Sequence, residues 1–120
     1  MKELLSLRFP LESGIMTTVR LTTGGACSAV GLDLDMSEDC KVCVTESLLL
    51  LMHAGYAFAR VHFSEHDGLF VQLTGEERGK GGAYTEDEIS VALLEAIAEA
   101  AFEHTGGSLT GISFRFGKKE

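Results

Sequence analysis

Leu5, Leu7 and Phe9 alternate with Ser6 and Arg8, the period-two pattern of a half-buried strand, and Pro10 stops it. A first strand is therefore predicted over residues 3 to 9. From Ser13 onward Ile15, Val19, Ala26 and Val30 recur at near-helical spacing and predict a helix, although Gly24-Gly25 and Thr17, Thr18, Thr22 and Thr23 have low helix propensity. A second helix is expected to open with Ser37 as N-cap, to place Glu38 and Asp39 at the positive end of its dipole, and to run to Ala54 before Gly55 ends it. Its middle, Leu48-Leu49-Leu50-Leu51-Met52, is apolar all round, as in a helix covered on several sides.

Beyond it, Phe58 to Phe63 and Leu69 to Leu73 flank Glu65-His66-Asp67-Gly68, a turn sequence with glycine where a positive φ is wanted, and so predict a β-hairpin. A polar, glycine-rich stretch runs from Gly75 to Gly82. Thr85-Glu86-Asp87-Glu88 then reads as a capping box for a helix from Ile89 to Glu103, ended by Gly106-Gly107. In the last segment, Leu109 to Phe116, the residues Ile112, Phe114 and Phe116 alternate with Ser113 and Arg115 and predict a final strand.

This order implies an α+β fold, a two-layer sandwich of a mixed, mostly antiparallel sheet with three helices on one face. The hairpin 58 to 73 is expected beside the strand 109 to 116. A chain of 120 residues suits one domain, residues 1–120, with a core large enough to need no disulfide or metal staple. Ten Lys and Arg against 18 Asp and Glu give a net charge of -8, which argues against nucleic acid or an anionic membrane as partner. Hydrophobic content of 45% excludes a disordered chain, and no apolar run reaches the ~20 residues of a membrane span. Met1-Lys2-Glu3-Leu4-Leu5 lacks the apolar core of a signal peptide, so a cytoplasmic location is expected. Three cysteines, an odd number, argue against a disulfide framework.

Few motifs carry chemistry. Gly79-Lys80-Gly81-Gly82 has the composition of a phosphate cradle, but the Walker spacing is absent and such loops also serve as plain connectors. Cys40-x-x-Cys43 has thioredoxin spacing near a helix start, without the flanking strand or the aromatic-glycine-proline context of a redox pair, so the two read as buried structural cysteines. His62-x3-His66 sits across a turn that sends its side chains in different directions, so no metal site is expected. On the first helix Ile15, Met16, Val19 and Leu21 exceed what one core-facing stripe needs, which marks this helix as a candidate interface.

Val44-Thr45-Glu46-Ser47-Leu48 through His53-Ala54-Gly55-Tyr56, followed by hairpin, glycine loop, helix and strand, resembles the GHKL (Bergerat-fold) ATPase superfamily. Within it the nearest look-alikes are the short bacterial anti-sigma factor serine kinases. The resemblance implies a histidine kinase-like ATPase fold, with Glu46 at the position of the general base. It places Leu50 where the family has a magnesium-holding Asn, and leucine offers no oxygen to a hard cation. The family's adenine-reading Asp-x-Gly-x-Gly corresponds to Gly75-Glu76-Glu77-Arg78-Gly79, which lacks the Asp; Glu76 would replace it only after a shift of register. The vestigial nucleotide pocket would thus comprise Leu50, Gly75, Glu76, Gly79, Lys80, Gly81 and Gly82. The function implied is a degenerate anti-sigma kinase-like regulatory domain, acting through a sigma factor or an anti-sigma antagonist, with homodimerisation expected. Alternatives are an active serine kinase using ATP and Mg, and a thiol redox protein using Cys40 and Cys43.

Overall fold

The computed structural model describes residues 1–78 and 87–117. Strand β1 (Lys2–Pro10) leads through a 3₁₀ turn (Ser13–Ile15) into α1 (Met16–Ala29), then α2 (Leu34–His53). The hairpin β2 (Tyr56–Glu65) and β3 (Gly68–Arg78) follows, then α3 (Asp87–Ala98) and a second hairpin of β4 (Ala101–Thr105) and β5 (Ser108–Gly117). The five strands form one sheet in the order β1-β2-β3-β5-β4, and every neighbouring pair is antiparallel. The mixed sheet expected from sequence is therefore corrected to an antiparallel one, while the α+β class, the hairpin and its neighbour β5 stand as expected.

Register explains which side of the sheet is covered. Phe9 pairs with Ala59, Leu7 with Val61, Val61 with Leu73, Phe63 with Val71, Val71 with Phe114 and Leu69 with Phe116, so all these side chains share one face. All but the half-buried Leu7 on β1 are buried. On this face lies α2, which packs against β2, β3 and β5, while α1 and α3 each pack on α2. Residues Val44, Leu48 and Leu51 of α2 are 0–1% exposed. Burying each aliphatic side chain contributes about 1.5–3 kcal/mol, so this layer supplies the main driving force for folding.

The start of α2 differs from the sequence expectation. Asp33, in extended conformation, accepts from the Met36 N–H at 2.8 Å and is the N-cap, so the helix begins at Leu34. Ser37 lies inside the first turn, its own N–H bonded to the Asp33 carbonyl at 3.0 Å. A carboxylate beside the helix's positive end satisfies the same free amides as a hydroxyl and adds charge, which is why the earlier residue prevails. At the other end Gly55, with φ 95°, closes the helix as expected.

The third helix is shorter than its composition suggests. It stops at Ala98, and residues 101–103, expected as its end, belong instead to strand β4, Ala101–Thr105, paired with β5. Gly106 and Gly107, with φ 59° and 81°, form the two-residue connection between paired Thr105 and Ser108. Two consecutive left-handed glycines twist a hairpin in the sense that strands require, and pairing Phe102 with Ile112 overrides the helix propensity of the alanines. The capping residues Thr85 and Glu86 and the stretch Gly79-Lys80-Gly81-Gly82 lie outside the described residues. Of the four apolar residues noted on the first helix, Val19 is core at 1% exposed, Ile15 and Met16 are half-buried, and Leu21 is 71% exposed.

The turn from α3 into β4 runs through Glu99 at φ 50°, a conformation that disfavours a Cβ. Glu99→Gly should raise the urea midpoint, corresponding to about 0.5–1 kcal/mol of added stability, because glycine enters the left-handed region without penalty.

Candidate functional site

Glu46, Leu50 and His53 recur at i, i+4 and i+7 and so form one stripe along α2. α3 lies against it. Ser90 donates its hydroxyl to Glu46 Oε1 at 2.8 Å, and His53 Nδ1 meets Asp87 Oδ1 at 2.7 Å. Leu50, between the two α2 anchors, is 2% exposed, and Leu94, one turn beyond Ser90, is fully buried. The seam is thus two polar links bracketing an apolar contact layer. A carboxylate that accepts from a serine hydroxyl is well placed to hold two helices in register. To act as a general base it would have to exchange that partner for a reacting group.

Gly75 is explained from within the chain. A Cβ there would lie 2.3 Å from the Tyr56 ring, so the aromatic ring rests directly on the bare backbone. The Tyr56 hydroxyl donates to the Leu109 carbonyl at 2.7 Å, which ties β2 to β5. The Arg78 guanidinium stands over the same ring at 5.8 Å and donates to the Ala54 carbonyl at 3.1 Å.

Glu76 is on the other side of the sheet. It pairs with Phe58 and accepts from Arg8 at 2.6 Å and from Arg60 at 2.9 Å, on the face opposite Ala59 and Val61. Those two guanidinium donors hold its carboxyl below the usual carboxylate range. Arg8 also engages Glu77 and stacks 4.1 Å above the Phe58 ring. The residues that the resemblance groups into one pocket are therefore distributed as follows: Glu46 and Leu50 at the α2–α3 seam, Gly75 beneath Tyr56, and Glu76 on the outer sheet face. Gly79, Lys80, Gly81 and Gly82 lie outside the described residues.

The cysteines are arranged differently from their spacing. Cys27, Cys40 and Cys43 are all free and 0–1% exposed. The Cys27 thiol and burial push the Cys40 thiol well above its ordinary range, with a smaller contribution from Cys43. Cys27 is held below the usual thiol range by the hydrogen bond from Cys40, with Ser37 and the Lys41 charge adding to it. Burial, together with the Asp39 and Glu46 charges, pushes the Cys43 thiol up to about 12. Among the described residues no three His, Cys, Asp or Glu side chains gather to hold a metal ion, and His62 Nδ1 faces Glu3 at 3.4 Å. No described helix is long and apolar enough to cross a membrane.

Sequence reasoning missed Asp87, Ser90 and His53 because each is an isolated polar residue until α3 is laid across α2. The i, i+3 spacing of Asp87 and Ser90 opposite the Glu46 and His53 stripe was the available signal. Tyr56 was noted for its place after Gly55, not for its contact with Gly75. No protein-family model matches the chain, and a search of curated proteins finds no relative.

Gly75→Ala should destabilise the fold by about 1–3 kcal/mol, the usual range for overpacking, because the Tyr56 ring cannot retreat without breaking its hydroxyl's bond to the Leu109 carbonyl. Chemical denaturation of the variant beside the parent chain measures it.

Proposed function

We propose that this chain is a degenerate GHKL (Bergerat-fold) domain of the anti-sigma serine kinase type, working as a protein-interaction module in which ATP binding is weak or lost. The observation that carries the reading is the α2 stripe. At the position of the family's base stands Glu46, bonded to Ser90, and at the position of its metal-holding amide stands Leu50, buried under α3. An antiparallel sheet with helices packed on one face is compatible with that superfamily's sandwich, and the element order supports it. Were ATP and Mg bound, Glu46 would be the only one of these two stripe positions able to contribute an oxygen.

Leu21 supports the interaction role. It is 71% exposed and lines a groove of about 270 Å³ between α1 and α2 with Thr17, Arg20, Glu38 and Lys41. A large exposed aliphatic residue beside a groove is the kind of feature that a protein partner covers. By resemblance the partners are a sigma factor, an anti-sigma antagonist or a second copy of the chain.

Calorimetric titration of ATP with magnesium should give a Kd weaker than about 1 mM, since each missing charge-assisted contact forfeits roughly 1.5–3 kcal/mol. Leu50→Asn alone should recover little of it. Micromolar binding by the parent chain would instead favour an active kinase. Separately, Leu21→Glu should abolish self-association in light scattering, or capture of a sigma or antagonist partner, while the circular dichroism stays unchanged. An unchanged assembly state together with unchanged partner capture would move the interface elsewhere.

A further inference from the structure

Helix α2 has four sides, and its contacts account for three of them. Val44, Leu48 and Leu51 are buried toward the sheet, the Lys41 stem reaches Gly24 on α1, and Glu46, Leu50 and His53 meet α3. The fourth side, opposite the sheet, carries Glu38, Val42, Thr45 and Leu49 at i, i+4, i+7 and i+11 and is open to solvent. The flanking helices turn apolar groups the same way. The short connection 30–33 makes α1 antiparallel to α2, and the pairs Asp87 with His53 and Ser90 with Glu46 make α3 antiparallel too. In that direction, with Val91 packed on the core, a right-handed helix turns Ile89 and Leu93 away from the sheet. On α1, Val19, Thr23 and Ala26 are buried, and Leu21 lies on the opposite side. Leu21, one turn before Gly24, and Leu93, one turn after Ser90, thus stand at the same height, beside residues 43 and 44 of α2. Of the six large hydrophobic side chains exposed among the described residues, four share this outer face: Leu21 at 71%, Ile89 at 66%, Val42 at 39% and Leu93 at 38%.

The two flanks of that face carry opposite charge. Arg20 is the single charged residue of α1 and lies with Lys41 in the α1–α2 groove, where Lys41 is 3.6 Å from Glu38. On the other flank Asp39 extends the Glu46 stripe of α2 by two turns, and α3 holds Asp87, Glu88 and Glu95 with no Lys or Arg. A two-fold axis along α2 exchanges the flanks. It lays α1 of each copy on α3 of the other, sets Leu21 against Leu93, and turns the Arg20 and Lys41 flank toward Asp39 and Glu46. We infer that the outer helix face binds a second copy of this chain in such a two-fold dimer, an assembly that rests on the protein-interaction reading above and names its partner. The choice of a second copy follows from self-complementarity, because one surface holds both halves of the contact. Two chains of net charge -8 repel on average, so they associate only where the charges match locally.

Sedimentation velocity on the folded full chain tests this. The parent chain should sediment as a dimer. Leu93→Glu, which puts a carboxylate at the centre of the contact, should weaken the dimer by about thirtyfold or more, the scale of a central interface residue, with the circular dichroism unchanged. Gln72→Glu, on the uncovered outer face of the sheet, should leave the dimer intact. Arg20→Glu and Asp39→Lys should each weaken it about threefold to tenfold at low salt, and the two together in one chain should recover most of that loss. A monomeric parent, a dimer that resists Leu93→Glu, or a double variant no stronger than the sum of the single losses would each overturn the inference. Should Leu93→Glu fail to fold, the exchange at the exposed Arg20 and Asp39 still decides. A monomeric parent that loses partner capture on Leu21→Glu removes the self-contact and leaves the protein-interaction reading standing. A dimer with the expected charge exchange but no capture of a sigma factor or antagonist does the reverse.

Discussion

A helix of twenty residues whose last turns read Leu48-Leu49-Leu50-Leu51-Met52 has no broad face there to leave in water, and that constraint organises the molecule. The sheet covers one side of α2, α1 packs along it, and α3 covers the stripe of Leu50. The cover is tight enough to include a cost. Ser47 is fully buried, and its hydroxyl has no hydrogen-bond partner among the described residues, the kind of desolvated group that typically costs about 1–3 kcal/mol. An interior that tolerates such a group draws most of its stability from the apolar contacts around it, chiefly those of α2 with β2, β3 and β5.

The same covering bears on the candidate chemistry. A nucleotide or metal site needs polar groups that converge on a space open to a ligand. Along α2 the polar groups converge on α3 instead: Ser90 takes Glu46, and Asp87 takes His53. Each pair lets a polar side chain sit half-buried at a helix crossing without loss of its hydrogen bond, and Leu50 fills the space between. These links favour a fixed α2–α3 geometry over a site that opens and closes. They are consistent with a domain kept for its shape and surface.

Much of the fold was legible because it rests on local periodicity. The alternation of Leu5, Leu7 and Phe9, of Val61 and Phe63, and of Ile112, Phe114 and Phe116 identifies strands without reference to neighbours. Ala101–Thr105 was not legible, since an alanine-rich run has helical propensity and only pairing with β5 makes it a strand. Gly106-Gly107 carried the hairpin signal but equally suits the end of a helix. Asp33 and Ser37 are both good caps, and the choice depends on where α1 releases the chain, with Gly31 at φ 76° turning it toward α2. Of the α2–α3 seam, the shared stripe of Glu46 and Leu50 was legible because both lie on one helix. Their partners Ser90 and Asp87 were not, since those contacts depend on how separate helices cross.

Glu76 shows why a motif's composition does not settle its chemistry. In a strand, parity decides the face, and the partners from Tyr56 opposite Arg78 to Glu65 opposite Leu69 run without a break in register. Gly75 therefore looks toward the helices and Glu76 away from them, where Arg8 and Arg60 pin its carboxylate. To turn Glu76 inward, β3 would need a bulge ahead of it, and every partner beyond the bulge would change face. The departure from regular strand geometry comes one residue later, at Glu77 with φ 54°, beyond the point where it could turn Glu76. Glu76, which the resemblance sets beside an adenine-reading position, is thus committed to the outer face, and Tyr56 occupies the space over Gly75 on the inner one. Two independent features of β3, its parity and its aromatic cover, oppose gathering these residues into the single pocket that the resemblance implies, and a single substitution on α2 alters neither.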